Sequence, residues 1–261
     1  MKYYVIICAI LKDETPYLIE WVEHHLKIGV EHFVLYDNNS IIPARQTLKA
    51  YVEKGIVEVI DCKITNTPLL KAYTHCLYNM HDDADWIAFI DIDEFIILNK
   101  HKDIHDFLQD YKNFAGVCLN WVIYTANNHI SKPEGLVMQN YTEPTPGEFA
   151  ANRHIKSIIL PRCVNIMDSS HFARYAGRYY AVNENYKCVE RAHSFFSNDV
   201  AQINHYFTKS FEEWLGKVGR GLPDSLQTRA VDEFWIYNPG MMPRRSEIEQ
   251  IYQDTIQKIS R

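Results

Sequence analysis

The sequence predicts an α/β fold, a mainly parallel sheet flanked by helices, followed by a smaller mixed region. Three observations carry this. Strand-like and helix-like segments alternate through the first half of the chain. Tyr3–Leu11 is a continuous β-rich run, as a strand buried on both faces requires. The apolar run Trp86-Ile87-Ala88-Phe89-Ile90 gives way abruptly to Asp91, Asp93 and Glu94, as at the carboxyl end of a buried strand.

Each element has its own warrant. After the first strand, Thr15 offers an N-cap and Pro16 a first-turn proline, and Gly29 closes the helix. Between them Leu18, Trp21, Val22, His25 and Ile28 fall on one face. Residues 32–36 form the second strand, stopped by the turn cluster Asp37-Asn38-Asn39-Ser40. A helix through Leu48 and Val52 ends at Gly55, and residues 56–60 form the third strand. Residues 68–80 are helical, and residues 86–90 are the fourth strand. Such an order implies a parallel sheet covered on both faces. Residues 117–124 read as a further strand, and residues 126–204 as short strands and loops punctuated by Gly135, Pro144, Pro146, Gly147 and Pro161. Helices return at 211–219 and at 246–259, where Ile248, Ile251, Tyr252 and Ile259 share an amphipathic face. No repeat or low-complexity linker interrupts the chain, so the 261 residues read as one domain.

Composition narrows the function. A hydrophobic share of 47% supports a sizeable core. With 33 acidic against 27 basic residues and a net charge of -6, the chain lacks the basic footprint of a generic nucleic-acid binder. Six cysteines without a C-x-x-C pair exclude a zinc ribbon or a thioredoxin-like site, and read as reduced core residues. The apolar run at the start is too short to span a bilayer. Lys12-Asp13-Glu14 follows it where a signal peptide would carry small residues, so a cytoplasmic location is expected.

Neither G-x-G-x-x-G nor a P-loop follows any strand, and G-x-S-x-G and H-E-x-x-H are absent. In parallel sheets ligands bind beyond the carboxyl ends of the strands. The polar residues expected there are Lys12, Asp13 and Glu14, then Asp37 and Asn38, then Asp91, Asp93 and Glu94. On an extended chain Asp91 and Asp93 would share one face while Ile90 and Ile92 pack inward. Two hard carboxylates suit Mg2+ or Mn2+, and three adjacent acids repel without a cation. The plainer reading is that they cap a helix or solvate a strand end. A D-x-D-x-T phosphatase is disfavoured by Phe95 at the Thr position. His205 and Lys209, four residues apart, could finish a metal shell and touch a phosphate, or His205 could be structural. Arg153-His154-Ile155-Lys156 can be read simply as a solvated strand end.

Several stretches together resemble the bacterial members of glycosyltransferase family 92, close to family 2-like enzymes. They are Leu11-Lys-Asp-Glu14, Tyr17-Leu-Ile-Glu-Trp-Val-Glu-His-His25, His32-Phe-Val-Leu-Tyr-Asp-Asn-Asn-Ser40 and Trp86-Ile-Ala-Phe-Ile-Asp-Ile-Asp-Glu-Phe95. Asn120-Trp121, Arg153-His-Ile-Lys-Ser157 and His205-Tyr-Phe-Thr-Lys-Ser-Phe-Glu-Glu213 complete an ordered set from residue 3 to about residue 225. The resemblance implies a GT-A (Rossmann-like) fold. Residues 1–124 would be the nucleotide-sugar-binding half, 125–225 the acceptor-side half with the metal-completing segment, and 226–261 a tail with a helix.

It also implies roles. Lys12, Glu14, Asp37, Asp91 and Lys209 would bind the nucleotide-sugar, with Asp37 on the nucleoside, Asp91 near the ribose and Lys209 on the diphosphate. Asp91, Asp93 and His205 would hold Mn2+ or Mg2+. Trp121 and His171 would lie on the acceptor or sugar side. For the catalytic base Asp224 is the first choice, because it closes the segment that begins at His205. Glu148, Asp168, His171, Asp232 and Glu233 are the other candidates. The implied activity is metal-dependent, inverting transfer of a hexose from a nucleoside-diphosphate sugar, a UDP-sugar foremost, to a glycan hydroxyl in surface polysaccharide or lipopolysaccharide synthesis. A non-catalytic nucleotide- or glycan-binding protein is the alternative, and a metal-dependent phosphoryl-transfer enzyme a third. For the C-terminal helix, packing against the domain is the simpler expectation than peripheral membrane contact.

Overall fold

A computed structural model describes residues 2–63, 67–220 and 229–259, with side chains described to residue 254. Asp224 therefore lies outside the described residues.

The strands are β1 (Tyr3–Leu11), β2 (His32–Asp37), β3 (Val57–Asp61), β4 (Ala84–Phe89), β5 (Glu94–Leu98) and β6 (Gly116–Ile123), followed by β7 (Ile155–Ile159) and β8 (Val164–Met167). The remaining four are β9 (Ala173–Tyr175), β10 (Ala181–Asn183), β11 (Cys188–Val189) and β12 (Ala201–His205). Ten of them form one sheet in the order β11-β10-β6-β7-β4-β1-β2-β3, with β12 joining β5 to β6. The segment β4-β1-β2-β3 is parallel throughout, as the alternating pattern predicts. β7 runs antiparallel to both β4 and β6 and so enters the middle of the sheet from the second half of the chain. β8 and β9 form a separate antiparallel ribbon.

Burial explains the strand sequences. Val5 to Ala9 are all fully buried, as expected of a central strand covered on both sides. On one face the helix Pro68–Asn79 places Leu69, Ala72, Tyr73, Cys76 and Leu77 against Ile6, Cys8, Val34, Ile87 and Phe89. Elsewhere, the helix Leu18–Lys27 buries Leu18, Trp21, Val22 and His25. His25 is fully satisfied there: Nδ1 donates to Trp21 O (2.7 Å) and Nε2 accepts from Ile96 N (3.2 Å). Thr15 does not cap this helix. A short 3-10 turn, Thr15–Tyr17, precedes it, and the Thr15 hydroxyl donates to Ile42 O (3.1 Å), tying the turn to the loop after β2.

The chain forms two compact units, Met1–Val122 with Gly147–Asn204, and Ile123–Pro146 with His205–Arg261. Residues 147–204, grouped above with the acceptor-side half, thus fold with the first unit. In the second unit the helices Phe211–Arg220, Glu233–Tyr237 and Arg245–Ile259 surround Phe211, Trp214, Leu215 and Phe234. Ile248 and Ile251 pack on that cluster, so the amphipathic C-terminal helix covers its own unit.

All six cysteines are free. Cys8, Cys76 and Cys118 are buried, but Cys188 is exposed at the end strand β11, which corrects the expectation of six core residues. No described helix is long and apolar enough to cross a membrane.

Candidate functional site

The acidic motif sits where β4 ends, but not on an extended chain. Ile90 and Ile92 are buried as expected, while the backbone turns: Glu94 N donates to Asp91 O (3.1 Å), and Asp91 N donates to the Glu94 carboxyl (2.9 Å). Trp21 Nε1 donates to both Asp91 O (3.1 Å) and Glu94 O (2.8 Å), fixing the turn from the helix beneath it. The three acids therefore occupy different environments. Glu94 is fully buried, Asp91 is partly exposed, and Asp93 is half-buried.

Their repulsion is relieved from within the chain. Lys156 on β7, read from the sequence as part of a solvated strand end, is only 1% exposed. Its Nζ lies 2.8 Å from Asp91 Oδ2 and 3.4 Å from Glu94 Oε2, and Tyr73 donates to Asp91 Oδ1 at 3.2 Å. The correction has a simple cause: β7 inserts beside β4, so the basic residue that follows Arg153 and His154 ends at the acids. Burial penalises the Lys156 ammonium, yet Asp91 and Glu94 together hold its pKa above the ordinary lysine value. Burial raises the Glu94 carboxyl to about 8 against the pull of Lys156, with Asp91 and Asp93 adding to the rise. Lys156 pairs most closely with Asp91, while burial holds the Glu94 carboxyl well above its ordinary range beneath it.

Among the described residues no three His, Cys, Asp or Glu side chains form a ready metal cage. Cations of the Mg2+ type, however, commonly take one or two carboxylates and complete their shell with substrate phosphate oxygens and water. The half-exposed Asp93 and the partly exposed Asp91 fit a site of that kind. Glu94, buried against Lys156, does not.

At the ends of β1 and β2 two loops are tied together. Asp37 is 3% exposed, and its two oxygens accept from Ser40 N (2.9 Å) and Ala44 N (2.7 Å). Asp13 N donates to Ser40 Oγ (2.9 Å), and its carboxylate accepts from Ile41 N (2.7 Å). Asp13 and Asn39 adopt left-handed conformations, φ 55° and 61°, which these bonds hold in place. Lys12, exposed, and Glu14, half-buried, lie on the first loop. In this structure Asp37 shapes the loop.

A third group is aromatic. Trp121 stacks on His154 at 4.8 Å between centroids and meets His171 edge-on at 5.1 Å; His154 lies 5.2 Å from His171 and 4.1 Å from His193. Trp121, His154 and His171 are half-buried and His193 is exposed. Burial and the nearby Lys156 ammonium bring the His171 imidazole down to about 3. From the sequence His154 reads only as part of a solvated strand end, and His193 carries no signal; a β-bridge between them brings His193 to the cluster from 39 positions further along the chain.

In the second unit, His205 is 3% exposed, its carbonyl accepts from Tyr124 N (3.0 Å), and its ring lies 5.3 Å from Phe207. Lys209 is buried with a left-handed backbone, φ 53°. Among the candidate bases, Asp168 is exposed and paired with Arg174. Glu233 accepts from Ala230 N (3.4 Å) at the start of its helix.

Comparison with known proteins places these features in a family. The chain is 29% identical over 171 residues to a glycosyltransferase family 92 protein of Ricinus communis, covering 61% of this chain and 29% of that protein. It is 31% identical over 110 residues to a galactan beta-1,4-galactosyltransferase of Arabidopsis thaliana, covering 37% and 21%. The aligned region spans roughly a fifth to three tenths of the length of the curated relatives it matches, which are plant proteins. Among solved structures, S. aureus TarS is 13% identical with a TM-score of 0.44, covering 98% of this chain and 71% of that chain. The family description for glycosyltransferase family 92 matches residues 3–255, and the chain belongs to that family.

Proposed function

We propose that this protein transfers a hexose from a nucleoside-diphosphate sugar, a UDP-sugar foremost, to a hydroxyl of a glycan acceptor. The observation that carries the reading is the placement of the Asp91–Glu94 turn beside the tied loops at the carboxyl ends of β1, β2 and β4, in a family 92 chain. That end of a parallel sheet is where nucleotides bind. The Arabidopsis relative, a galactosyltransferase acting on galactan, is in keeping with a hexose and a glycan.

In the transfer, the bond from the anomeric carbon to the diphosphate oxygen breaks, and a bond to the acceptor oxygen forms. The hydroxyl proton passes to a base, and nucleoside diphosphate leaves. The family resemblance implies inversion. Mn2+ or Mg2+, when bound at Asp93 and Asp91, would neutralise the charge that develops on the leaving diphosphate. The chain's own part is to hold the acids in register through Lys156, Tyr73 and Trp21, and to shape the nucleotide loop through Asp37 and Asp13. Lys12 and Glu14 are proposed to face the donor. The role is proposed to lie in surface glycan synthesis.

A donor assay tests this reading. Incubation with common sugar nucleotides and Mn2+ should release nucleoside diphosphate. Nucleotide binding without turnover would instead indicate a non-catalytic binder, and release of inorganic phosphate would indicate phosphoryl transfer.

A further inference from the structure

β7 serves two groups with neighbouring residues. Lys156 reaches Asp91 and Glu94, while Ile155 O accepts from His171 Nδ1 at 3.0 Å. On the other side of Lys156, the Ser157 hydroxyl donates to His171 O at 2.7 Å. A carbonyl can only accept, so the proton of the neutral imidazole is on Nδ1 and Nε2 carries a lone pair. Among the described residues nothing hydrogen-bonds that nitrogen. Beside the His171 ring stand Trp121 and His154, stacked on each other, with His193 at the exposed rim. A hydrogen-bond acceptor beside aromatic rings suits a pyranose, which presents C–H bonds to a ring and hydroxyl donors at its edge.

We propose that Trp121, His154 and His171 form a pyranose subsite in which His171 Nε2 accepts a hydrogen bond from a sugar hydroxyl. The proposal rests on the glycosyltransferase reading above. Burial, with Lys156 and His154, holds the His171 imidazole below its ordinary value, which favours the neutral ring whose Nε2 accepts a hydrogen bond. Donor and acceptor sugars share the chemistry the subsite recognises.

The test compares wild type, His171→Ala and His171→Gln, whose amide oxygen can stand near the position of Nε2. UDP, UDP-glucose and UDP-galactose are titrated by calorimetry. Methyl β-glucopyranoside and methyl β-galactopyranoside are titrated by NMR, with and without UDP. UDP affinity should be the same in all three proteins. The advantage of a UDP-sugar over UDP, or the affinity for a methyl glycoside, should fall about tenfold in His171→Ala, as loss of one hydrogen bond predicts, and return within about threefold in His171→Gln. A change in the first quantity assigns the subsite to the donor sugar, and in the second to the acceptor. The proposal is overturned if His171→Ala changes neither, if it weakens UDP equally, or if His171→Gln behaves like His171→Ala. Absence of UDP binding in wild type would remove the UDP-sugar part of the reading above instead, and the glycoside titration without UDP would still decide the subsite.

Discussion

Lys156 decides how three acids can share one strand end. One ammonium faces two carboxyl groups, at 2.8 Å and 3.4 Å, and the fully buried one keeps its proton up to about pH 8. This has a measurable consequence for stability. An unfolded glutamate loses its proton near its ordinary value of 4.5, so between about pH 4.5 and 8 the folded chain binds a proton that the unfolded chain has given up. Stability should therefore fall as pH rises through that window, and Glu94→Gln should flatten the dependence. Urea unfolding at pH 5 and pH 8 measures it; an equal slope in both proteins would remove Glu94 from the account. Lys156→Met is a harsher change, because it leaves Asp91 and Glu94 facing each other without the ammonium. Removing one partner of a buried pair costs about 3–5 kcal/mol. The expected result is a lower urea midpoint with an unchanged dependence on urea concentration.

At the scale of elements, the loop after β2 is held by one side chain. Both Asp37 oxygens accept backbone hydrogen bonds, from Ser40 and Ala44, in a nearly buried position. Asp37→Asn can satisfy only one of these donors and turns an amide N–H toward the other. A loss of about 1–3 kcal/mol is expected, with faster hydrogen exchange at Ser40 and Ala44. Exchange rates matching wild type would show that the loop keeps its shape by other means. The elements themselves were legible in the sequence because each depends on local signals: the apolar run of β1, the one-sided face of Leu18 to His25, the turn residues after Tyr36. What was not legible depends on long-range pairing. Arg153 to Lys156 looked solvated because nothing nearby in sequence shows that β7 lies between β4 and β6. The same pairing brings Lys156 to Asp91, 65 positions earlier, and places His171 against Ile155. The carboxylates of the candidate site were thus visible as residue types, while their internal counter-ion and the aromatic cluster beside it were not. Thr15 shows the same limit on a small scale, since the hydroxyl expected to cap the helix donates instead to Ile42 O.

For the molecule as a whole, a net charge of -6 sets the problem of binding an anionic diphosphate. Lys156 offsets part of the acidity at the end of β4, but its charge is already engaged by Asp91 and Glu94. A diphosphate approaching this end of the sheet would therefore meet Asp93 as well as its own repulsion, unless a divalent cation lies between them. Metal dependence should then appear as coupling between Mn2+ and nucleotide rather than as tight metal binding alone, since a cation of this kind draws several of its ligands from phosphate and water. In wild type, Mn2+ is expected to tighten UDP binding at least tenfold over a chelated control, and to raise the thermal midpoint only when UDP is present. Asp93→Ala should erase the coupling. Asp91→Asn should behave differently, lowering the midpoint even without ligands by leaving Lys156 with only Glu94. If Asp93→Ala keeps the full Mn2+ effect on UDP affinity, the cation is held elsewhere. In that event the acids at the end of β4 serve the fold through Lys156 and not the diphosphate.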